Sequence, residues 1–282
     1  MFDTHCHLQF SAFEGKVDEI VEEAFHAGIT HILVPGTDID TSKKAIDIAL
    51  KYDFIYSAVG IHPHHVIEYK KENIKNKKPK KKIHYDLEVI EKLLQSKNNK
   101  IVAVGEIGLD RHVYKKTKYE NYQIDDSFIA LQKELFVAQL QLAKKYHKSV
   151  IIHNRETRDE LLETLKEQWS HDFEGHMVFH CCEPDDLLLD FAKKHHIYIG
   201  VDGDITYRKD KQEFIKKIPP DLLVLETDAP FLLPEPFRSQ KRFPNKPAYL
   251  VYIKKQIALL KGVSEKIVDD KTMENAINLF TL

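Results

Sequence analysis

The chain has 282 residues, with 42 Lys and Arg against 44 Asp and Glu and 43% hydrophobic residues. At ~150 residues per domain this length allows about two domains or one α/β barrel, and the ordinary composition excludes a disordered chain. No apolar run approaches the ~18 residues of a membrane span and no basic-then-apolar leader opens the sequence, so the chain reads as cytoplasmic, without membrane association.

The net charge of -2 is too neutral for a broad basic nucleic-acid surface, yet it conceals an asymmetry. Residues 70–82 read KKENIKNKKPKKK, and without them the chain carries 34 positive and 43 negative charges, a net of -9. Such a block of like charge reads as a solvated surface insertion, with a phosphate-attracting arm as the minority reading. The three cysteines, Cys6, Cys181 and Cys182, are odd in number and two are adjacent. They read as thiols in a reducing compartment rather than a disulfide framework.

In chain order, short β-branched runs occur near 2–6, 30–34, 54–59, 101–105, 149–152, 176–180, 197–201 and 222–227. Between them lie stretches of helical spacing: Val17, Ile20, Val21, Ala24 and Phe25 form one stripe, and Phe128, Leu131, Leu135, Ala138 and Leu142 another. Met273, Ala276, Ile277 and Phe280 predict a docked C-terminal helix. Strands alternating with helices predict an α/β fold with a parallel sheet, and eight strands suit a closed (β/α)8 barrel.

The first predicted strand ends in His5-Cys6-His7, where alternation aims both imidazoles to one side and Cys6 to the other. Glu106, His153, His180 and Asp228 likewise follow apolar runs. In a barrel those ends converge on the catalytic face, and so many buried imidazoles and carboxylates at one place are costly without a cation. Six ligands exceed the three protein ligands usual for one catalytic zinc and fit two ions sharing a carboxylate. Cys181 and Cys182 point to opposite faces if they lie on a strand, and one reads as a small packed hydrophobe.

The motifs HCHL (5–8), GIHPH (60–64), GEIGLD (105–110), IIHNRE (151–156), VFHCC (178–182) and ETDAPFL (226–232) followed by NKPAYL resemble the TatD family of metal-dependent deoxyribonucleases, in the family's order and across the chain. The resemblance implies a single barrel domain over 1–282, of the metal-dependent hydrolase kind, with residues 70–82 as an insertion. His5, His7 and Asp228 are then expected to hold one divalent ion, His153 and His180 the other, and Glu106 to bridge. The ions are expected to be Mg, Mn or Zn and the substrate DNA, cleaved from its ends by a chain that acts as a monomer with no protein partner.

Asp228 is the expected proton acceptor for the attacking water, with Glu226 sharing its face of the strand. Arg155, Arg111 and His62 are expected at the substrate, with Glu226 beside them, and Arg238 and Arg242 offer further guanidinium groups. Gln9 replaces the family's usual acidic residue, and Cys182-Glu183-Pro184 replaces its FSG, so the rim differs while every ligand is kept. The same cage suits an amidohydrolase that cleaves a C–N bond, although many such enzymes resemble one another in using a carboxylated Lys where this chain has Glu106. Two divalent ions would turn the -2 into +2, making attraction for phosphate local to the site.

Overall fold

The computed structural model describes residues 1–73, 79–96, 98–114, 119 and 122–282. Eight strands form one parallel sheet: β1 (Phe2–Asp3), β2 (His31–Pro35), β3 (Ile55–Val59), β4 (Ile101–Asp110), β5 (Ser149–Arg155), β6 (Met177–Phe179), β7 (Tyr198–Val201) and β8 (Leu223–Leu225). Their order in the sheet is their order in the chain. The seam closes beyond the ladders: Thr4 N donates to Leu225 O at 2.9 Å, Asp228 N to His5 O at 2.9 Å and His7 N to Ala229 O at 2.8 Å. All eight predicted strands are present, and β4 and β5 run on to Asp110 and Arg155, past their expected ends.

Among the described residues ten α-helices accompany the strands: α1 (Val17–His26), α2 (Ile39–Ala49), α3 (Val66–Asn73), α4 (Pro79–Gln95), α5 (Asp126–Lys145), α6 (Arg158–Gln168), α7 (Asp186–His195), α8 (Lys209–Lys217), α9 (Leu250–Lys261) and α10 (Glu265–Phe280). Asp38 caps α2, accepting from Thr41 N while Thr41 Oγ1 accepts from Asp38 N, so two N–H groups left over at the helix start are satisfied reciprocally. Ile20, Val21 and Ala24 of α1 are buried as their spacing predicts, but Phe25 is 59% exposed and rests against Phe54. The buried face of α5 is turned from the predicted stripe: Phe128 and Leu135 lie on it, joined by Gln132, Phe136, Gln139 and Leu140.

Each strand gives side chains to a single apolar cluster, Phe2, Leu33, Ala58, Val102 and Ala103, Ile151, Val178, Tyr198 and Val224, which packs with Ala276, Leu279 and Phe280 of α10. The C-terminal helix thus closes one end of the barrel, with the Phe2 and Phe280 rings 5.7 Å apart. Apolar surface buried there contributes about 25 cal/mol per Å² to holding the strands and α10 together.

The Lys-rich run lies partly outside the described residues, at 74–78. Its flanks are helical, and Tyr69 on α3 donates to Asp86 Oδ2 on α4 at 2.8 Å. Lys70 pairs with Asp125 at 2.7 Å and Lys82 with Glu68 at 3.4 Å, so both ends of the run have acidic partners. No described helix is long and apolar enough to cross a membrane.

Candidate metal centre

The open end of the barrel gathers the predicted ligands. Although β1 ends at Asp3, His5 and His7 still project together, with their Nε2 atoms 3.1 Å apart, while Cys6 is buried in the core. Asp3, fully buried, accepts from Thr227 N at 2.9 Å and Thr227 Oγ1 at 2.7 Å, tying this segment to the one that carries Asp228. Burial pushes the Asp3 carboxyl up to about 8.

Glu106 lies where the β4–β5 register slips between Val104 and Ile107, an irregularity of the kind that re-aims a side chain. Its backbone N–H donates to Gly36 O at 2.8 Å, at the end of β2. Gly108, with φ +147°, lets β4 pass β5 here, since a Cβ would sit 2.0 Å from His153 O.

The two carboxylate oxygens of Glu106 face different neighbours. Oε2 is 3.5 Å from His5 Nε2 and 3.7 Å from His7 Nε2. Oε1 is 2.7 Å from His153 Nδ1 and 3.7 Å from both His180 Nε2 and His62 Nε2. Asp228 Oδ1 lies 3.4 Å from His7 Nε2 and 3.8 Å from His5 Nε2.

The donor chemistry fits divalent cations. Among the described residues His5, His7 and Glu106 form one compact group, Glu106, His153 and His180 a second, and His5, His180 and Asp228 a third. Two imidazole nitrogens at 3.1 Å, with carboxylate oxygens converging on both, make a nearly all-acceptor surface once the rings are neutral. Buried His5 Nδ1 has no hydrogen-bond partner.

Protonation follows the same geometry. Burial, then the neighbouring His180, lowers the His5 imidazole to about 4. Burial acts the same way on His153 and His180, but hydrogen bonds to Asp110 and Glu106 raise His153 to about 9, and Glu226 and Glu106 raise His180 to about 10. Burial would raise Glu106, yet the facing His62 and His180 hold it well below the usual carboxylate range.

Supporting groups stand behind the imidazoles. Asp110 Oδ2 is 3.1 Å from His153 Nε2 and accepts from Tyr114 Oη at 2.7 Å, and its Oδ1 accepts from His112 N at 2.7 Å. Glu226 Oε1 lies 3.2 Å from His180 Nδ1 and accepts from Cys181 N. Carboxylates placed in this way fix the orientation of a ligating imidazole and raise its basicity. Behind His7 the chain has instead the amide of Gln9, whose Nε2 is 3.4 Å from His7 Nδ1 and donates to Pro35 O at 2.6 Å.

A cavity of about 1060 Å³ opens above the cluster, lined in part by His7, His62, Glu106, His153, His180 and Asp228. Of the four side chains expected at the substrate, Arg155 and His62 line this cavity, whereas Arg111 and Glu226 do not. The Arg111 guanidinium is held by Glu160 at 2.7 Å and Asp126 at 3.5 Å. Glu226 is 1% exposed, beneath Gly200, where a Cβ would meet its carboxylate at 2.4 Å. Glu226 and Asp228 both reach His180, Glu226 Oε1 at 3.2 Å from Nδ1 and Asp228 Oδ1 at 3.9 Å from Nε2, although β8 ends at Leu225 and Asp228 turns to φ +49°.

His62 Nδ1 accepts from His64 N at 3.1 Å, which leaves the proton of the neutral ring on Nε2. Arg155 stacks over Tyr114 at 5.1 Å, and Arg238 over Tyr207 at 4.1 Å. Cys181 lines the cavity at φ +45°, and burial keeps its thiol well above the usual range.

Two residues missing from the sequence expectations hold the loops of the site. Gln139 accepts from Ile61 N at 2.7 Å and donates to Ile61 O at 3.1 Å, beside His62. Gln132 accepts from Asp110 N at 2.9 Å and donates to Asp110 O at 3.0 Å and Pro63 O at 3.2 Å. Two glutamines seven residues apart on an apolar helix face were the available signal. Gln139→Leu should lower the unfolding free energy by about 2 kcal/mol or more, because each orphaned buried group costs ~1–3 kcal/mol. Urea denaturation checks this; a change below roughly 0.5 kcal/mol, the scatter of neutral surface substitutions, would contradict it.

Comparison with known proteins agrees with this geometry. The TatD related DNase family matches residues 2–281. The chain is 34% identical to the uncharacterized metal-dependent hydrolase YabD of Bacillus subtilis, covering 100% of this chain and 99% of that protein. It is 30% identical to the 3'-5' ssDNA/RNA exonuclease TatD of Escherichia coli, covering 99% and 98%. The crystal structure of the TatD homologue YjjV from Escherichia coli superposes with a TM-score of 0.83 at 29% identity, covering 100% of this chain and 98% of that one. With its barrel and its clustered imidazoles and carboxylates, the chain belongs to the TatD family of metal-dependent hydrolases.

Proposed function

We propose that this protein is a nuclease that hydrolyses phosphodiester bonds of DNA from an end, with two divalent cations, Mg, Mn or Zn, in the barrel mouth. The observation that carries the two-cation reading is the division of Glu106: Oε2 faces His5 and His7, and Oε1 faces His153 and His180. His5, His7 and Asp228 would hold one cation, His153 and His180 the other, with Glu106 between them. Divalent cations supply Lewis-acid stabilisation of charge on phosphoryl oxygens and make water acidic enough to act at neutral pH.

The protein's own groups do the rest. Asp228, 15% exposed at the cavity, accepts the proton of the attacking water. Arg155 offers a planar guanidinium to the phosphate. The Nε2–H of His62 is a neutral donor for a phosphoryl or leaving oxygen. Asp110 and Glu226 keep the imidazoles behind the reacting atoms in one orientation. A phosphodiester suits these cationic and neutral donors, and the exonuclease names carried by relatives point the same way.

The test is degradation of end-labelled single-stranded and duplex DNA with Mg2+, Mn2+ or Zn2+, alongside elemental analysis of bound metal. The expected result is metal-dependent shortening from an end. Absence of cleavage with either DNA, together with turnover of a cyclic amide, would replace this reading with a binuclear amidohydrolase.

A further inference from the structure

Beside the metal cluster the cavity wall carries aromatic surface that the ligand set does not use. Phe10 lies flat on His7, with ring centroids 4.3 Å apart and 4° between the planes. Phe231 stands edge-on to both, 6.1 Å and 71° from Phe10 and 6.4 Å and 69° from His7. The Phe231 backbone is fixed, its N–H donating to Asp228 O at 2.8 Å, yet its side chain is 47% exposed. An exposed phenyl ring is unremarkable on a random surface. Here the ring stands edge-on to two others, next to a proposed ligand, in a cavity otherwise rich in charged groups.

The barrel order gives this surface a direction. Phe10 follows β1 and Phe231 follows β8, strands adjacent at the seam, whereas Tyr114 and Arg155 follow β4 and close β5, on the far side of an eight-stranded ring. Phe10 and Phe231 therefore line the cavity on the side of Asp228, and Arg155, stacked on Tyr114, lines it on the side of Glu106. A single-stranded nucleic-acid end has the same two parts, π-faced bases and a phosphate chain.

We infer that Phe231, braced by Phe10, is the stacking plate for the base of the nucleotide whose phosphodiester sits at the metal cluster, and that the rest of the strand leaves past Arg155. This rests on the nuclease reading and adds to it a subsite for a single unpaired base, read by its π-face and not by its hydrogen-bonding edge. A paired terminal base is stacked within its duplex and cannot lie on the plate without fraying, so single-stranded ends are favoured.

The experiment uses the full chain, a single-stranded oligonucleotide with 2-aminopurine as the end base, and a matched oligonucleotide whose end nucleotide is abasic. Binding is read by anisotropy and by 2-aminopurine quenching, and cleavage as KM and kcat. With wild-type protein the abasic end should bind more weakly and the 2-aminopurine should be quenched. Phe231→Ala should weaken binding of the ordinary end and raise its KM by roughly 5- to 100-fold, leaving kcat less affected, and should abolish the quenching. Phe231→Trp should restore both. For the abasic end, Phe231→Ala should change little, because the interaction is already absent.

An abasic end that wild type binds and cuts as well as the ordinary one, or a Phe231→Ala loss equal on both oligonucleotides, overturns the plate while leaving the nuclease reading intact. Failure of wild type to bind or cut either oligonucleotide with any of the three metals overturns the nuclease reading, and the plate with it.

Discussion

Glu106→Gln should reduce turnover of DNA by roughly 10³-fold or more, and should lower the metal bound per chain. The substitution keeps volume and leaves one carbonyl oxygen, but it removes the charge and turns the other ligand atom into an NH2 donor. In the native site Oε2 lies 3.5 Å from His5 Nε2 and Oε1 2.7 Å from His153 Nδ1, so one of the two groups must lose its carboxylate oxygen. Losing a residue that only orients a ligand costs about 10- to 100-fold in metal affinity or activity. Asp110→Asn, behind His153, should fall within that smaller range.

Stoichiometry separates the accounts. Elemental analysis after dialysis should give about two metals per chain for wild type, near two for Asp110→Asn with weaker retention, and one or fewer for Glu106→Gln. Full activity and full metal content in Glu106→Gln would remove it from the bridging position, and the two-cation reading would lose its main support.

The parts of this molecule that were legible in the sequence follow simple periodicity. Eight β-branched runs became eight parallel strands, and the residues following them met at one mouth, because a parallel barrel delivers every strand end to the same face. His5 and His7 share a side because they are two residues apart in extended chain. The failures begin where extended backbone ends. Asp228 at φ +49° and Cys181 at φ +45° leave the strand pattern, and nothing in their residue types signals that. The register slip that aims Glu106 arises between β4 and β5, outside either segment read alone. Gln132 and Gln139 are invisible to amphipathic periodicity, which counts apolar residues and passes over polar ones that complete another segment's hydrogen bonds. The GLD motif before Arg111 points it to substrate, but Glu160 and Asp126, supplied by α6 and α5, take its guanidinium instead.

A third missed group sits on the cavity wall and carries the largest predicted effect on stability. Lys211 of α8 is 5% exposed, with Nζ 2.8 Å from Asp202 Oδ2 and 2.9 Å from Asp204 Oδ1, and both carboxylates are buried. Arg208 reaches Asp204 Oδ2 at 3.1 Å. Burial, then the charge of Asp202, pushes Asp204 up to about 8, while burial would also raise Asp202 but for Lys211, which holds it below the usual carboxylate range. Lys211→Met keeps the side-chain length and removes the cation these two carboxylates share.

Removing one partner of a buried ion pair costs about 3–5 kcal/mol, because a charge is left buried without compensation. That loss is expected for Lys211→Met at pH 8, measured by urea denaturation. In the variant Asp202 should join Asp204 with a folded-state pKa above its unfolded value. The folded chain then binds more protons than the unfolded one above about pH 4, so its stability falls as pH rises toward 8 and recovers as pH falls.

The destabilisation should therefore be smaller at pH 5 than at pH 8, and Asp202→Asn in the same chain should reverse part of it. The consequences reach the mouth, because the turn after β7 abuts the segment next to Phe231: a Cβ on Gly203 would lie 2.0 Å from Leu232 O. A loosened turn should raise KM for single-stranded DNA in Lys211→Met at pH 8 more than at pH 5. A loss of stability identical at both pH values would show that Lys211 contributes packing, with its charge unimportant.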